Sequence, residues 1–250
     1  MVKNSTIEAK PRTTRIRSEL TRLPELNSKR LRFRRMARSF LRGLVRLTTR
    51  LTVQGLENIP AQGPLLMVSN HLGDADALIG LAISPRPVEL VAKIELVELR
   101  IVGRLMESYG VIWIHRGQPD RHALRAALDG LRTGRVIGIA PEGRESLTGS
   151  LEAGTEGAAY LALKSGAPIL PVTFTGTQNR VIFRNLKRFK RSPVSITIGK
   201  AFTLEEPVDR KKALRLATDQ IMHALASQLP LEYQGVYLQE VEVDHDTQEH

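Results

Sequence analysis

The 250-residue chain contains no cysteine. That absence excludes disulfides, thiolate metal sites and a cysteine nucleophile, and it fits a reducing compartment. Aromatic residues make up only 4%, which leaves little for the stacking platforms used by single-stranded nucleic-acid binders. No run approaches the ~20 apolar residues that cross a bilayer, and no amino-terminal stretch resembles a signal peptide. A chain that is soluble or held at a membrane surface is expected. Gly-x-Ser-x-Gly is missing, so the serine-hydrolase route through a nucleophile elbow lacks its signature. The 6 histidines are scattered, none in a His-x-x-x-His pattern, so no metal site is expected, and no Walker A loop occurs.

Hydrophobic residues make up 42% of the chain, enough to build the core of one large α/β domain or two small ones. The net charge of +11 is unevenly placed. Residues 1 to 50 hold 15 Lys and Arg against 3 acidic residues, which leaves 22 basic and 23 acidic groups for the other 200. A nucleic-acid enzyme spreads basic groups over its working face, whereas a basic segment on a neutral domain reads as an arm or anchor for an anionic surface.

Residues 1–13 are polar and read as a flexible tail, and 239–250 likewise. From Leu31 to Leu51 a helical period places Phe33, Met36, Phe40, Leu44, Leu47 and Leu51 on one face and Arg35, Arg38, Arg42 and Arg46 on the other. Its apolar face either packs on the domain, with the arginines solvated, or meets a membrane surface. Helices 14–24 and 30–50 would together form a basic amphipathic hairpin, so 14–50 is expected to associate with membrane and 51–238 to form the domain. Strands are expected near 51–55, 64–69, 88–92, 110–115, 136–140, 168–174 and 194–198. Helices are expected near 75–83, 94–107, 119–132, 155–165 and 208–228. Such alternation predicts an α/β fold, a mainly parallel central sheet covered by helices, with functional groups at the carboxyl ends of strands.

The stretch SNHLGDADALIG (69–80) follows one of these strands. A histidine and an aspartate five residues apart suit general-base chemistry: one imidazole nitrogen takes a proton while the carboxylate holds the other. Two pairs have this spacing, His71 with Asp76 and His115 with Asp120. Spacing alone does not choose between them, and a loop histidine beside helix-capping aspartates has the same pattern. Asp74 reads as a cap or a bystander. Arg116 and Arg144 also fall at turns after strands, where a planar guanidinium suits a phosphate monoester.

In order, GLENIPAQGPLLMVSNH (55–71), NHLGDAD (70–76), GVIWIHRG (110–117), APEGRES (140–146) and GAPILPV (166–172) resemble the four sequence blocks of glycerolipid acyltransferases of the 1-acylglycerol-3-phosphate acyltransferase type. The likeness spans about residues 50 to 235. It implies that His71 and Asp76 are the catalytic pair, that Arg116 meets the acceptor's phosphate, that Glu142 and Gly143 serve acceptor binding, and that Pro171 is the proline of the fourth block. Two departures stand out. The family often has Glu-Gly-Thr-Arg-Ser where this chain has Arg144 and Glu145 at the Thr and Arg positions, and a Ser where it has Gly73. Arg144 could substitute in phosphate recognition.

The implied reaction moves an acyl group from acyl-CoA or acyl-carrier protein to 1-acylglycerol 3-phosphate, giving phosphatidic acid without a cofactor. The implied setting is peripheral, on the cytoplasmic face of the cell membrane. The alternatives are another acceptor (glycerol 3-phosphate, a lyso-amino lipid or a glycolipid), or a non-catalytic membrane lipid-binding protein. Residues that measure the acyl chain, in helices 75–83 and 94–107, cannot be told from core by sequence.

Overall fold

A computed structural model describes residues 20–115, 120–204 and 212–238. The expected tails, 14–19 of the expected hairpin and Arg116 lie outside the described residues.

Among the described residues, seven strands form one sheet in the order β1-β7-β6-β2-β5-β3-β4. They are β1 (Thr49–Gln54), β2 (Leu65–Ser69), β3 (Val88–Lys93), β4 (Ile112–Ile114), β5 (Val136–Ile139), β6 (Ile169–Thr175) and β7 (Ser192–Ile198). Each lies within two residues of an expected strand. All neighbours pair in parallel except β6 and β7. The helices are α1 (Ser28–Thr48), α2 (Ala75–Ile83), α3 (Arg100–Tyr109), α4 (Arg121–Arg132), α5 (Gly157–Ser165), α6 (Asn179–Lys187) and α7 (Ala213–Ala226).

Strand side chains alternate between two cores. Leu66, Val68, Ile137 and Ile169 pack under α4, α5 and α7. Leu65, Val136, Leu170 and Val172 pack on the other side, with Val45 of α1, Ile79 of α2 and Ile182 of α6. Strands buried on both faces explain why PLLMVS and PILPVTF read as continuous apolar runs.

Three expectations change. Residues 20–27 form no helix, so the described amino-terminal element is the single helix α1. Pro24 disfavours helical backbone at the residue before it, and Asn27 starts α1 by accepting the Arg30 N–H at 2.9 Å. The expected helix 94–107 divides into a 3-10 turn (Ile94–Glu98) and α3. Helix α6 was not expected at all.

The orientation of α1 is the larger surprise. Its apolar side faces outward, with Met36 and Phe40 each 70% exposed and Leu47 74% exposed. Its inner side carries cations that bond the domain. Buried Arg34 grips Glu89 through both carboxylate oxygens at 2.9 and 2.5 Å, donates to the Tyr109 carbonyl, and lies over the Tyr109 ring. Arg42 donates to the Ala82 carbonyl at 2.8 Å. The reading in which the apolar face packs on the domain is therefore overturned, because hydrogen-bonded arginines occupy that side. Among the described residues no helix is long and apolar enough to cross a membrane.

Candidate active site

At the carboxyl end of β2, Asn70 is buried and its amide bonds the Phe174 backbone in both directions, at 2.9 and 2.8 Å. These bonds carry the β2–β6 pairing one residue past the ladder and fix where the chain leaves the sheet. His71 follows. Its Nδ1 lies 3.0 Å from Asp76 Oδ2, and that oxygen also accepts the Leu72 and Gly73 N–H groups at 2.7 and 2.9 Å. Asp76 thus ties its own turn together while holding the imidazole. A carboxylate can only accept, so Nδ1 carries the proton and Nε2 keeps the lone pair that a general base needs.

The loop after β5 clamps the same turn. Glu142 Oε1 accepts the His71 N–H at 2.9 Å, and the His71 carbonyl accepts the Ser146 N–H at 2.7 Å. The other Glu142 oxygen accepts the Glu152 N–H at 2.9 Å. Burial pushes the Glu142 carboxyl up to about 7, against the lowering effect of those two amides. Glu152 organises the outer loop: it accepts the Leu147 N–H and pairs with Arg144 at 2.5 Å. Its carboxyl is held low, first by the Leu147 amide and also by the Arg144 charge.

The second pair repeats the contact between Nδ1 and a carboxylate. His115 Nδ1 lies 2.9 Å from Asp120 Oδ2, and Asp120 also accepts the His115, His122 and Ala123 N–H groups, capping α4. Burial would raise the Asp120 carboxyl, but the His115 and Ala123 amides and the His115 ring together hold it low. What separates the pairs is their setting. His71 and Asp76 line a cavity of about 200 Å³ that runs between the sheet and α2, walled mainly by apolar side chains such as Met67, Leu81, Leu90 and Phe174. Among its described lining residues His115 and Asp120 do not occur. A second cavity, of about 420 Å³, opens between residues 20–30 and the Gly110–Trp113 segment. Among its described lining residues neither histidine occurs.

The remaining expected residues divide. Glu142 and Gly143 stand beside His71, and Gly143 adopts a positive φ of 74° in its turn, a conformation that favours glycine. Arg144 is half-exposed, with its guanidinium on Glu152. Pro171 lies in β6 just before the ladder to β7 begins at Val172, so its missing N–H costs that ladder no bond. Asp74 sits at the α2 N-cap position but makes no capping bond; its carboxylate accepts from Asn179 Nδ2 at 3.3 Å. Asn179 also accepts the Asp74 N–H and donates to Glu145. Gly73, the odd residue of the turn, is explained by this packing: a Cβ there would lie 2.7 Å from the Thr177 carbonyl oxygen and 2.9 Å from the Asn179 nitrogen. Sequence reasoning missed Asn70, Glu152 and Asn179. The usable signal for Asn70 was an amide directly before the histidine at a strand end.

An acyltransferase family model matches residues 50–175. A 1-acyl-sn-glycerol-3-phosphate acyltransferase of Borreliella burgdorferi is 35% identical over 133 residues, covering 52% of this chain and 53% of that protein. One from Chlamydomonas reinhardtii is 27% identical over 214 residues, 82% of this chain and 62% of its own length. The chain spans about half the length of the Borreliella protein. The crystal structure of the 1-acyl-sn-glycerophosphate acyltransferase PlsC from Thermotoga maritima superposes with a TM-score of 0.59 at 20% identity, covering 81% of this chain and 84% of that one, which establishes a shared fold. The matched region runs from β1 through the last residue of β6, taking in both His–Asp turns and the Glu142 clamp, and on this evidence the chain belongs to the acyltransferase family.

Proposed function

We propose that this protein is an O-acyltransferase that moves a fatty acyl group from acyl-CoA or acyl-carrier protein to 1-acylglycerol 3-phosphate, forming phosphatidic acid. The observation that carries this reading is the His71–Asp76 pair standing at an apolar cavity in a chain of the acyltransferase family. In it, the acceptor hydroxyl oxygen attacks the thioester carbonyl carbon while His71 Nε2 takes the hydroxyl proton. Asp76 keeps the ring oriented and stabilises the imidazolium. The tetrahedral intermediate then collapses, the carbon–sulfur bond breaks, and the departing thiolate recovers the proton from His71. No covalent acyl-enzyme forms.

The apolar cavity takes the acyl chain, and Arg116 and Arg144 serve the acceptor's phosphate. The protein works on the cytoplasmic face of the cell membrane, held there by the outward side of α1. Support for this placement comes from exposed Met36, Phe40 and Leu47 beside exposed Arg35 and Arg46, an arrangement that suits an anionic interface.

The test offers purified protein labelled acyl-CoA, and separately acyl-carrier protein, with 1-acylglycerol 3-phosphate, glycerol 3-phosphate, a lyso-amino lipid and a lysoglycolipid. Labelled phosphatidic acid as the main product is expected. Product from another acceptor alone would overturn the acceptor, and no product from any combination would overturn the enzyme reading.

A further inference from the structure

Helix α6 and the turn after it lie outside the proposed catalytic machinery, apart from Asn179 at the helix start. From Asn179 to Arg191 there are six basic residues, Arg180, Arg184, Lys187, Arg188, Lys190 and Arg191, and no acidic one. All six are exposed. Interleaved with them stand Phe183 at 54% exposure, Leu186 at 50% and Phe189 at 99%. Phe189 also has φ of 52°, and it is the one non-glycine residue with positive φ among those described. A bulky side chain is disfavoured in that region. A strained phenylalanine held entirely in water gains nothing from the protein's own packing.

The position of α6 identifies a partner. Ile182 packs into the same core as Val45 of α1 and Ile79 of α2, so α6 lies on the side of the sheet that carries α1. The turn after α6 reaches the end of α1, since Arg191 Nε donates to the Thr49 carbonyl at 2.8 Å and Thr49 pairs with Ser192. Leu47, 74% exposed, lies two residues before Thr49. The carboxyl end of α1 and the turn after α6 therefore adjoin across one strand pairing. At its other end α6 starts on the His71 turn, through the bonds of Asn179 to Asp74.

We infer that α6 and the Phe189 turn form a second membrane contact, in which Phe183, Leu186 and Phe189 enter the interface of an anionic bilayer and the six cations meet its head groups. The inference rests on the surface-bound reading above and adds to it a separate element, adjoining the active-site turn. Charge settles the choice of partner: an apolar strip flanked by cations alone fits an anionic lipid surface, whereas a second copy of the same strip would bring like charges together.

The experiment sediments full-length protein with vesicles of phosphatidylcholine, and of phosphatidylcholine mixed with phosphatidylglycerol. Phe189→Ser, Phe183→Ser, Arg184→Gln and Arg188→Gln are compared with wild type and with Phe40→Ser in α1. All of these positions are on the surface, so thermal unfolding should not change. Each lost charge should weaken partitioning to the anionic vesicles about fivefold, and each lost phenylalanine should weaken it about tenfold.

As a second readout, Phe189→Trp adds an emitter to the buried Trp113, and brominated lipid should quench the added emission. If Phe40→Ser weakens binding while the α6 variants match wild type and the emission added by Phe189→Trp is not quenched, α6 is no contact and the α1 reading survives. If wild type fails to sediment with either vesicle, the surface-bound reading falls and this inference with it. A concentration-dependent dimer, formed without lipid and abolished by Phe189→Ser, would assign the strip to a second copy and overturn the lipid assignment.

Discussion

Two histidines in this chain hold an aspartate through Nδ1 at nearly the same distance, 3.0 Å for His71 and 2.9 Å for His115. Their equal spacing in sequence becomes the same Nδ1–carboxylate contact, which is why spacing left the choice open. What distinguishes His71 is longer in range: Asn70 on β6, Glu142 and Ser146 on its peptide groups, and the cavity in front of it. None of these contacts is visible from neighbouring residues in the sequence. Glu142 is legible by resemblance, but its two bonds to backbone amides are not, and they make it a positioning residue for His71. The folded carboxyl titrates at about 7, above its ordinary 4.5. Between those values the folded state holds a proton that the unfolded chain has released, so this group lowers stability as pH rises from about 4.5 to about 7, by roughly 3 kcal/mol in all. Urea unfolding at intervals across that range should show the decline in wild type and a flatter profile in Glu142→Gln. Identical profiles would contradict the assignment. Glu142→Ala leaves two partly buried amides without their acceptor and should cost about 1 kcal/mol for each.

At the scale of elements, all seven strands and the span of α2 were legible, because buried apolar runs and their bounding turns are local signals. Helix α6 was not, since it has only nine residues and its four apolar ones, Val181, Ile182, Phe183 and Leu186, make too short a pattern to mark a helix. The inward side of α1 was hidden too. Periodicity tells that a helix has two sides; it does not tell which one the domain takes when arginines can bond Glu89 and backbone carbonyls. Breaking that buried pair with Arg34→Ala should destabilise the fold by about 3 to 5 kcal/mol, as measured by chemical unfolding, and a loss below about 1 kcal/mol would mean that Arg34 behaves as a surface group. Of the two expected helices, only α2 contributes described residues to the cavity lining. Ala77, Gly80, Leu81 and Ile83 line the cavity, and no described lining residue comes from 94–109. A Cβ at Gly80 would meet the Phe174 ring at an ordinary 3.5 Å. Gly80→Ala should therefore fold at least as well as wild type, whereas Gly80→Leu should shift preference to shorter acyl chains by at least about tenfold in kcat/KM. An unchanged chain-length profile in Gly80→Leu would place the acyl chain elsewhere.

For the whole molecule, averaging charge over 200 residues concealed that the basic groups after residue 50 are not spread evenly. The cluster on α6 lies on the same side of the sheet as α1, and both elements expose apolar side chains among basic ones. Deleting residues 1–50 is a poor test of membrane attachment, because it removes Arg34 from buried Glu89 and takes the first two residues of β1. Met36→Ser with Phe40→Ser leaves those contacts in place and should shift part of the protein from the membrane pellet to the supernatant, with its unfolding midpoint unchanged. Pelleting at the wild-type level would put the attachment outside α1. The proposed chemistry depends most on the identity of the base. That is tested by the initial rate of acyl transfer to 1-acylglycerol 3-phosphate in wild type, His71→Ala and His115→Ala, each with its fold verified by circular dichroism. With His71 as the base, His71→Ala loses at least about a hundredfold and His115→Ala stays within about tenfold of wild type. Near-normal turnover in His71→Ala together with its loss in His115→Ala would contradict that assignment.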